Sequence, residues 1–157
     1  MAQRKRDLRV AFEHVDARLL AVLPVRAELA RFGQQIMRCI DEVEVYVREA
    51  GLPRAHRDEA VVVYHGPLLA GSRVDIGVEV RERFDSTGPV VCSATPEGTA
   101  VTAIHHGAYD GLPSTKALLR QWCADYELEP TGKAWEVYRA LDADPATRTT
   151  EVFYQLK

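Results

Sequence analysis

The chain has 157 residues and a formal net charge of −3, with 20 lysines and arginines against 23 aspartates and glutamates. This length suits one domain, or two small halves that share a core. The acidic balance argues against nucleic acid as the main partner, because phosphate binding needs clustered positive charge. No apolar segment approaches the roughly 20 residues that span a bilayer, so we expect no membrane partner.

Three cysteines, Cys39, Cys92 and Cys123, lie far apart along the chain. Their odd number and wide spacing argue against a disulfide framework and against a zinc site with paired CxxC ligands. We therefore expect a reduced, cytoplasmic protein with buried thiols, without a metal or other cofactor.

The first half of the chain predicts the order strand, helix, strand, strand. Residues 8–26 are rich in valine and leucine and contain Pro24, which favours extended structure over helix. A helix follows, because apolar residues recur there at spacings of three and four, and the Gly-Leu-Pro sequence at 51–53 ends it. Two strands, at 60–66 and 72–84, complete this half, and the second alternates strictly between apolar and polar residues.

The second half predicts the same order of elements. Residues 90–107 are extended around a Pro-Glu-Gly turn, and residues 109–126 carry an apolar helical stripe. Two further strands are predicted at 134–141 and 149–156, with a polar turn between them. The chain therefore contains two copies of a strand-helix-strand-strand unit.

The two copies also agree in register. The strand that ends at Tyr64 corresponds to the strand that ends at Tyr138, and the last strands place Asp75 against Glu151. An agreement at this level of detail indicates an internal duplication rather than a chance similarity.

The predicted fold class is α+β, with tandem duplicated βαββ units, antiparallel sheets and two main helices. We expect a single domain over residues 1–157, with one repeat at 8–88 and the other at 89–157. Duplicated units usually pack about a pseudo-two-fold axis, and the boundary between the halves then forms a central cleft that suits a ligand.

Alternation assigns side chains to faces in the last two strands. Glu136 and Tyr138 share a face of one strand, and Glu151 and Phe153 share a face of the other. If the two strands are neighbours, we expect these four side chains on one face, as two carboxylates among aromatic rings. Trp135 is assigned to the opposite face of its strand, from which a twist or bulge would bring it into the cleft.

Carboxylates among aromatic rings suit particular kinds of chemistry. A buried carboxylate costs several kcal/mol unless it is paired, and each aromatic face attracts a cation by roughly 0.5–2 kcal/mol. Such a site suits an organic cation, or acid–base chemistry on an uncharged electrophile. The alternative is that this face is open to solvent and that the acids are simply hydrated.

Three motifs within residues 96–156 carry a resemblance to a known family. HHGAYDGL at 105–112 looks like the H-x-G-x-Y start of the second helix in GyrI-like proteins, which share the effector-binding domain of multidrug-sensing transcription regulators. GKAWEVYRALDADPATRTTEVFYQL at 132–156 is similar to the family's closing pattern, a W/Y-E-x-Y strand, an acidic turn and T-E-x-Y/F. ATPEGTAVTAIHHG resembles the family's P-x-G strand.

The resemblance implies a two-repeat domain whose aromatic pocket directs a glutamate at lipophilic cations. Carried over by position, the implied ligand-binding residues are Glu136, Glu151, Tyr109, Tyr138, Phe153 and Trp135. Regulators of the family carry a DNA-binding module before this domain. About seven residues precede the first predicted strand here, so we expect a stand-alone member without a DNA-binding domain and without direct contact to nucleic acid.

Two functions follow as competing hypotheses. The first is a binding protein for amphipathic, often cationic aromatic compounds, which senses or sequesters them. The second is a cofactor-free hydrolase that opens cyclopropanoid or similar strained electrophiles, with Glu151 or Glu136 activating water and Tyr109 or Tyr138 stabilising the oxyanion. A protein partner that binds an acidic surface, or a homodimer, is a third possibility that the sequence leaves open.

Overall fold

The computed structural model describes residues 9–157, so residue 8, the predicted start of the first repeat, lies outside the described residues. The strands are β1 (Val10–Val15), β2 (Leu19–Arg26), β3 (Glu59–Tyr64), β4 (Arg73–Glu79), β5 (Val91–Ala94), β6 (Gly98–His106), β7 (Pro130–Arg139) and β8 (Thr149–Leu156). The helices are α1 (Phe32–Glu49) and α2 (Leu112–Asp125), each preceded by a 3-10 turn, at Leu29–Arg31 and Tyr109–Gly111. No helix of this part of the chain is long and apolar enough to cross a membrane.

All eight strands form one antiparallel sheet in the order β1-β6-β8-β7-β3-β4-β2-β5. The predicted α+β class and duplicated architecture are confirmed, and the two halves join edge to edge between β3 and β7. One detail differs from the prediction. The extended segments that open the halves are each two strands rather than one. Residues 16–18 separate β1 from β2, and residues 95–97, at the predicted Pro-Glu-Gly turn, separate β5 from β6.

The pseudo-two-fold axis passes through the junction of β3 and β7. Val62 pairs directly with Glu136, while Tyr64 pairs with Ala134 and Ala60 pairs with Tyr138. The predicted correspondence between Tyr64 and Tyr138 therefore holds, because these residues lie at equal distances on opposite sides of the axis. Both phenols lie within reach of the central Val62–Glu136 pair.

The sheet curls strongly, because short connections join strands at its opposite ends. β1 and β2 are six strand intervals apart, which would be roughly 29 Å in a flat sheet. The connection at 16–18 reaches at most roughly 14 Å, and the same holds for β5 and β6 through 95–97. The two connections also bond to each other, with Arg18 N donating to Thr95 Oγ1 (2.9 Å) and Thr95 N donating to Arg18 O (3.0 Å).

The curled sheet has two apolar faces, which we call outer and inner. The outer face carries both helices and the main core. α1 ends as predicted, because Gly51 adopts a left-handed φ of 67° and Leu52 N returns to Val47 O at 3.0 Å. The inner face has its own buried cluster, which consists of Leu20, Val22, Val61, Val63, Ala100, Trp135 and Phe153.

Candidate ligand-binding site

A cavity of about 1100 Å³ lies on the outer face between α1 and α2, above the junction of β3 and β7. We call it the outer cavity. Phe32, Ile36 and Ile40 line its α1 side, and aromatic side chains line its floor. Its lining contains one carboxylate, Glu136, which makes that residue the centre of the site's electrostatics.

Glu136 is 1% exposed, and its hydrogen bonds come from both halves of the molecule. Tyr64 Oη of β3 donates to Glu136 Oε1 at 2.9 Å. Tyr138 Oη of β7 donates to the same oxygen in a short hydrogen bond. The two symmetry-related phenols thus share one acceptor. Burying a carboxylate requires such partners, because an isolated charge in the interior costs several kcal/mol.

Lys116 of α2 supplies the counter-charge for this carboxylate. Its Nζ lies 2.8 Å from Glu136 Oε2 and 4.7 Å from the centroid of the Tyr64 ring. Oε2 accepts no hydrogen bond of good geometry, so the ion pair is held by charge and proximity rather than by a directed bond. The Lys116 side chain is 19% exposed, which leaves its ammonium close to the surface of the cavity.

Burial raises the pKa of both phenols that bind Glu136. The pKa of Tyr64 lies well above its usual value of 10.0, first because the side chain is desolvated and then because the Glu136 charge opposes ionisation. The pKa of Tyr138 is raised well above 10.0 for the same two reasons. Both groups therefore remain neutral hydrogen-bond donors at physiological pH, which is the state that Glu136 requires.

Tyr109 stands at the edge of this arrangement, next to Tyr138. The two rings meet edge to face, with centroids 5.3 Å apart and an interplanar angle of 81°. Arg148 Cζ lies 5.1 Å from the Tyr109 ring centroid, on the ring face. Tyr109 lines the cavity, and its hydroxyl is buried without a hydrogen-bond partner.

The α2 side of the outer cavity is cationic. Arg120 lies one turn after Lys116 and donates from Nη1 to Tyr154 Oη at 3.2 Å. Lys133 and Arg148 also line the cavity. The lining thus holds four cationic side chains against one carboxylate, and a ligand that enters it meets a net positive field.

A second, smaller cavity of about 430 Å³ lies on the inner face of the sheet. Its floor includes Trp135 and Phe153, which are cross-strand neighbours on β7 and β8. Their rings are stacked, with centroids 4.8 Å apart and an interplanar angle of 1°. We call this the inner cavity.

Two carboxylates of the inner cavity, Glu79 and Glu151, are paired within the protein. Glu151 accepts from Thr102 Oγ1 at 3.1 Å and lies 3.0 Å from Arg139 Nη2. Glu79 lies 3.2 Å from both Arg18 Nη1 and His56 Nε2. Across residues 9–157, no three His, Cys, Asp or Glu side chains converge in a way that would hold a metal ion.

The structure corrects the prediction that Glu136, Tyr138, Glu151 and Phe153 share one face. Glu136 pairs with Val152 and Tyr138 with Thr150, so Glu151 and Phe153 lie on the opposite face of the sheet, together with Trp135. Alternation fixes the faces within each strand but not the register between strands, and a one-residue difference exchanges the faces. The outer cavity therefore brings together Glu136, Tyr138 and Tyr109, and the inner cavity brings together Glu151, Phe153 and Trp135.

Two important residues of the outer cavity were absent from the sequence-based set. Tyr64 could have been found, because the repeat places it at the position of Tyr138. Lys116 could also have been recognised from the sequence. It interrupts the apolar positions of α2, falling between the buried residues Leu112 and Leu119 at helical spacing. A lysine on the buried stripe of a helix needs a partner, and here the partner is Glu136.

A comparison with protein-family models found no match, and a comparison with curated proteins found none either. Solved structures do resemble this chain. The C-terminal domain of EcmrR superposes with a TM-score of 0.81 at 21% identity, over 96% of this chain and 98% of that domain. In a complex of EcmrR with DNA, this chain covers 62% of the EcmrR chain, again at 21% identity, with a TM-score of 0.80.

Two further structures share the fold at lower identity. SAV2435, solved with bound tetraphenylphosphonium, has a TM-score of 0.62 at 13% identity, over 95% of this chain and 94% of that protein. A hydrolase from Listeria innocua has a TM-score of 0.58 at 14% identity, over 95% and 92% of the two chains. The fold of this chain is therefore that of the EcmrR C-terminal domain.

Proposed function

We propose that this chain is a GyrI-like effector-binding domain that binds amphipathic aromatic small molecules, including cations, in the outer cavity. One observation carries the proposal. A buried carboxylate lies on the floor of a large, mostly apolar cavity, where two phenols and a lysine hold it. Cavities of this kind, with an apolar wall and a few converging polar groups, are typical ligand sites.

The neighbouring structures support this proposal at the level of the fold. EcmrR is a DNA-bound protein whose C-terminal domain superposes on this chain, and SAV2435 binds tetraphenylphosphonium. By analogy, the ligand would contribute aromatic surface to the apolar α1 side and a polar or charged group to the floor. Sensing or sequestration of such compounds in the cytoplasm, without direct contact to nucleic acid, stays a prediction.

Binding fits the geometry better than hydrolysis. A general base must present an oxygen to a water molecule. Glu136 Oε1 already accepts from two phenols, and Oε2 faces the Lys116 ammonium. Glu151 lies on the other face of the sheet, so the two glutamates do not act on one substrate. Cavity filling and charge pairing, rather than activation of water, are the chemistry that this site offers.

A bulky side chain introduced in the wall of the outer cavity tests the proposal. Gly33 of α1 lines the cavity, and a Cβ at this position would meet no atom within 4 Å. We expect Gly33→Phe to fold, since glycine is a poor helix former, and to weaken the binding of triphenylphosphine oxide and tetraphenylphosphonium at least about tenfold. The measurement is isothermal titration calorimetry, with micromolar affinity expected for the wild type.

The matched control is Gln34→Phe, which adds the same ring at the adjacent, exposed position of α1. It should leave both affinities within about threefold of the wild type. Tryptophan fluorescence tests the inner cavity separately. Trp122→Phe leaves Trp135, which lines that cavity, as the one fluorescent tryptophan. If ligands quench Trp135 and Gly33→Phe has no effect, the ligand occupies the inner cavity and the proposal is wrong.

A further inference from the structure

The Lys116 ammonium occupies the place that an organic cation would take in the outer cavity. It lies between a carboxylate oxygen, 2.8 Å away, and the face of an aromatic ring, 4.7 Å from its centroid. A cation held between a carboxylate and an aromatic face is the geometry by which aromatic sites recognise quaternary ammonium groups. The cation in this case belongs to the protein itself.

The Lys116 ammonium can leave this place while its backbone stays where it is. Its backbone is fixed in α2, but its side chain is a flexible four-carbon stem that is 19% exposed. No directed hydrogen bond ties it to Glu136 Oε2. The ammonium can therefore move towards solvent while Tyr64 and Tyr138 keep Glu136 in position through Oε1.

We propose that Lys116 is an internal counter-ion that competes with cationic ligands for Glu136 and so determines the charge selectivity of the outer cavity. This inference rests on the proposed function. An uncharged ligand fills the apolar part of the cavity and leaves the Lys116–Glu136 pair intact. A cationic ligand contacts the Glu136 carboxylate only by displacing the Lys116 ammonium. Its affinity therefore exceeds that of an uncharged ligand by only a small factor.

The remaining charges of the cavity reinforce this effect. Arg120, Lys133 and Arg148 line the same space, and the lining contains no carboxylate besides Glu136. While Lys116 neutralises Glu136, an entering cation meets three other positive side chains. Removal of Lys116 leaves an unpaired buried carboxylate, for which a lipophilic cation is the natural replacement.

The test compares tetraphenylphosphonium with uncharged triphenylphosphine oxide by calorimetric titration of the whole chain. In the wild type we expect affinities within threefold of each other. In Lys116→Met we expect tetraphenylphosphonium to bind at least tenfold more tightly, while the oxide changes less than threefold. The gain should disappear in Lys116→Met/Glu136→Gln. Lys157→Met removes an exposed lysine charge outside the cavity lining and should change either affinity less than threefold.

A second measurement uses the wild-type protein and does not depend on the stability of a variant. Amine acetylation followed by peptide mass spectrometry reports the exposure of Lys116. Saturating tetraphenylphosphonium should increase the acetylation rate of Lys116 at least threefold, whereas saturating oxide should not increase it.

Two further results would be decisive. If both compounds bind but Lys116→Met gives no gain for the cation, and Lys116 stays protected from acetylation, then Lys116 is only a structural partner of Glu136. The proposed function would survive that result. If neither compound binds the wild type or Lys116→Met, the proposed function itself is wrong.

Discussion

The two walls of the outer cavity have equivalent backbones and different chemistry. Both helices begin directly after a 3-10 turn, so Phe32 in α1 corresponds to Leu112 in α2, and Ile36 corresponds to Lys116. On the sheet, Val62 of the first half corresponds to Glu136 of the second. The duplication thus supplies a symmetric scaffold, and at these positions one copy alone carries charged side chains.

The position of the axis gives a physical reason for this asymmetry. Val62 and Glu136 pair directly across β3 and β7, and both side chains lie on the outer face. Two glutamates at these positions would place like charges opposite each other in a buried site, which is strongly unfavourable. A duplicated domain therefore tolerates a buried carboxylate beside its axis in one of its two copies only.

The inner face shows the same kind of divergence. The cross-strand pair Trp135–Phe153 of the second half corresponds to Val61–Gly77 of the first. A Cβ at Gly77 would lie 1.8 Å from Ala21 O of the neighbouring strand, so this position accepts no side chain. The aromatic stack can therefore exist in one half alone, and the inner cavity is as asymmetric as the outer one.

A glutamate at position 62, opposite Glu136, should produce the largest loss in the free energy of unfolding. We expect Val62→Glu to destabilise the chain by about 4 kcal/mol or more, because a buried charge is added without a partner and opposite Glu136. Urea unfolding followed by circular dichroism measures the loss. Val62→Gln separates charge from size and polarity, and should cost roughly half as much. Equal losses in the two variants would mean that repulsion at the axis is unimportant.

Removing the Lys116 charge from α2 should have the next largest effect on stability. Lys116→Met leaves Glu136 buried without its counter-ion, and we expect a loss of about 3 kcal/mol in the free energy of unfolding. Lys116→Met/Glu136→Gln keeps an oxygen for the two phenols and should recover at least half of that loss. A double variant no more stable than the single one would show that the pair contributes through packing rather than charge.

The smallest expected effect is a dependence of stability on alkaline pH. Because folding raises the pKa of Tyr64 and Tyr138 above the unfolded value of 10.0, the folded state keeps protons that the unfolded state releases. Their stabilising contribution is full below pH 10 and is lost as the pH rises above it, by about 1.4 kcal/mol per pH unit for each phenol.

Urea midpoints between pH 8 and pH 11 would measure this slope. Tyr64→Phe should reduce the slope by up to about 1.4 kcal/mol per pH unit, since one of the phenols whose pKa is raised by folding no longer contributes. Tyr126→Phe, which alters an exposed phenol remote from Glu136, is the matched control and should leave the slope unchanged. An unaltered slope in Tyr64→Phe would mean that this phenol is not coupled to folding.

Much of the fold could be predicted from the sequence, because periodicity and repetition are properties of single segments. Three features follow from local patterns: the end of α1 near Gly51, the pair of strands that closes each half, and the equivalence of Tyr64 with Tyr138. The break between β1 and β2 was not predicted, because apolar residues on both sides of residues 16–18 make the segment look continuous, whereas the Pro-Glu-Gly turn marked the break between β5 and β6.

The site could be predicted in part, for a reason that is also physical. Glu136, Tyr138 and Tyr109 do share a cavity, as the family resemblance implied. Glu151 was assigned to the wrong face because its position depends on the connection between β7 and β8, which includes a 3-10 turn at Pro145–Thr147. Pairing register across such a loop is a tertiary property that alternation alone does not determine.

The exchange of edge strands in the sheet has a consequence for folding. β1 precedes β2 in the chain but pairs with β6 of the other half, and β5 precedes β6 but pairs with β2. Each repeat therefore completes its partner's sheet, as in a domain swap that has been closed within one molecule. Neither half can finish its own sheet in isolation, so the two repeats must fold as one cooperative unit. The same hinges, at 16–18 and 95–97, are where an intermolecular exchange of β1 or β5 would begin in a crowded solution of unfolded chains.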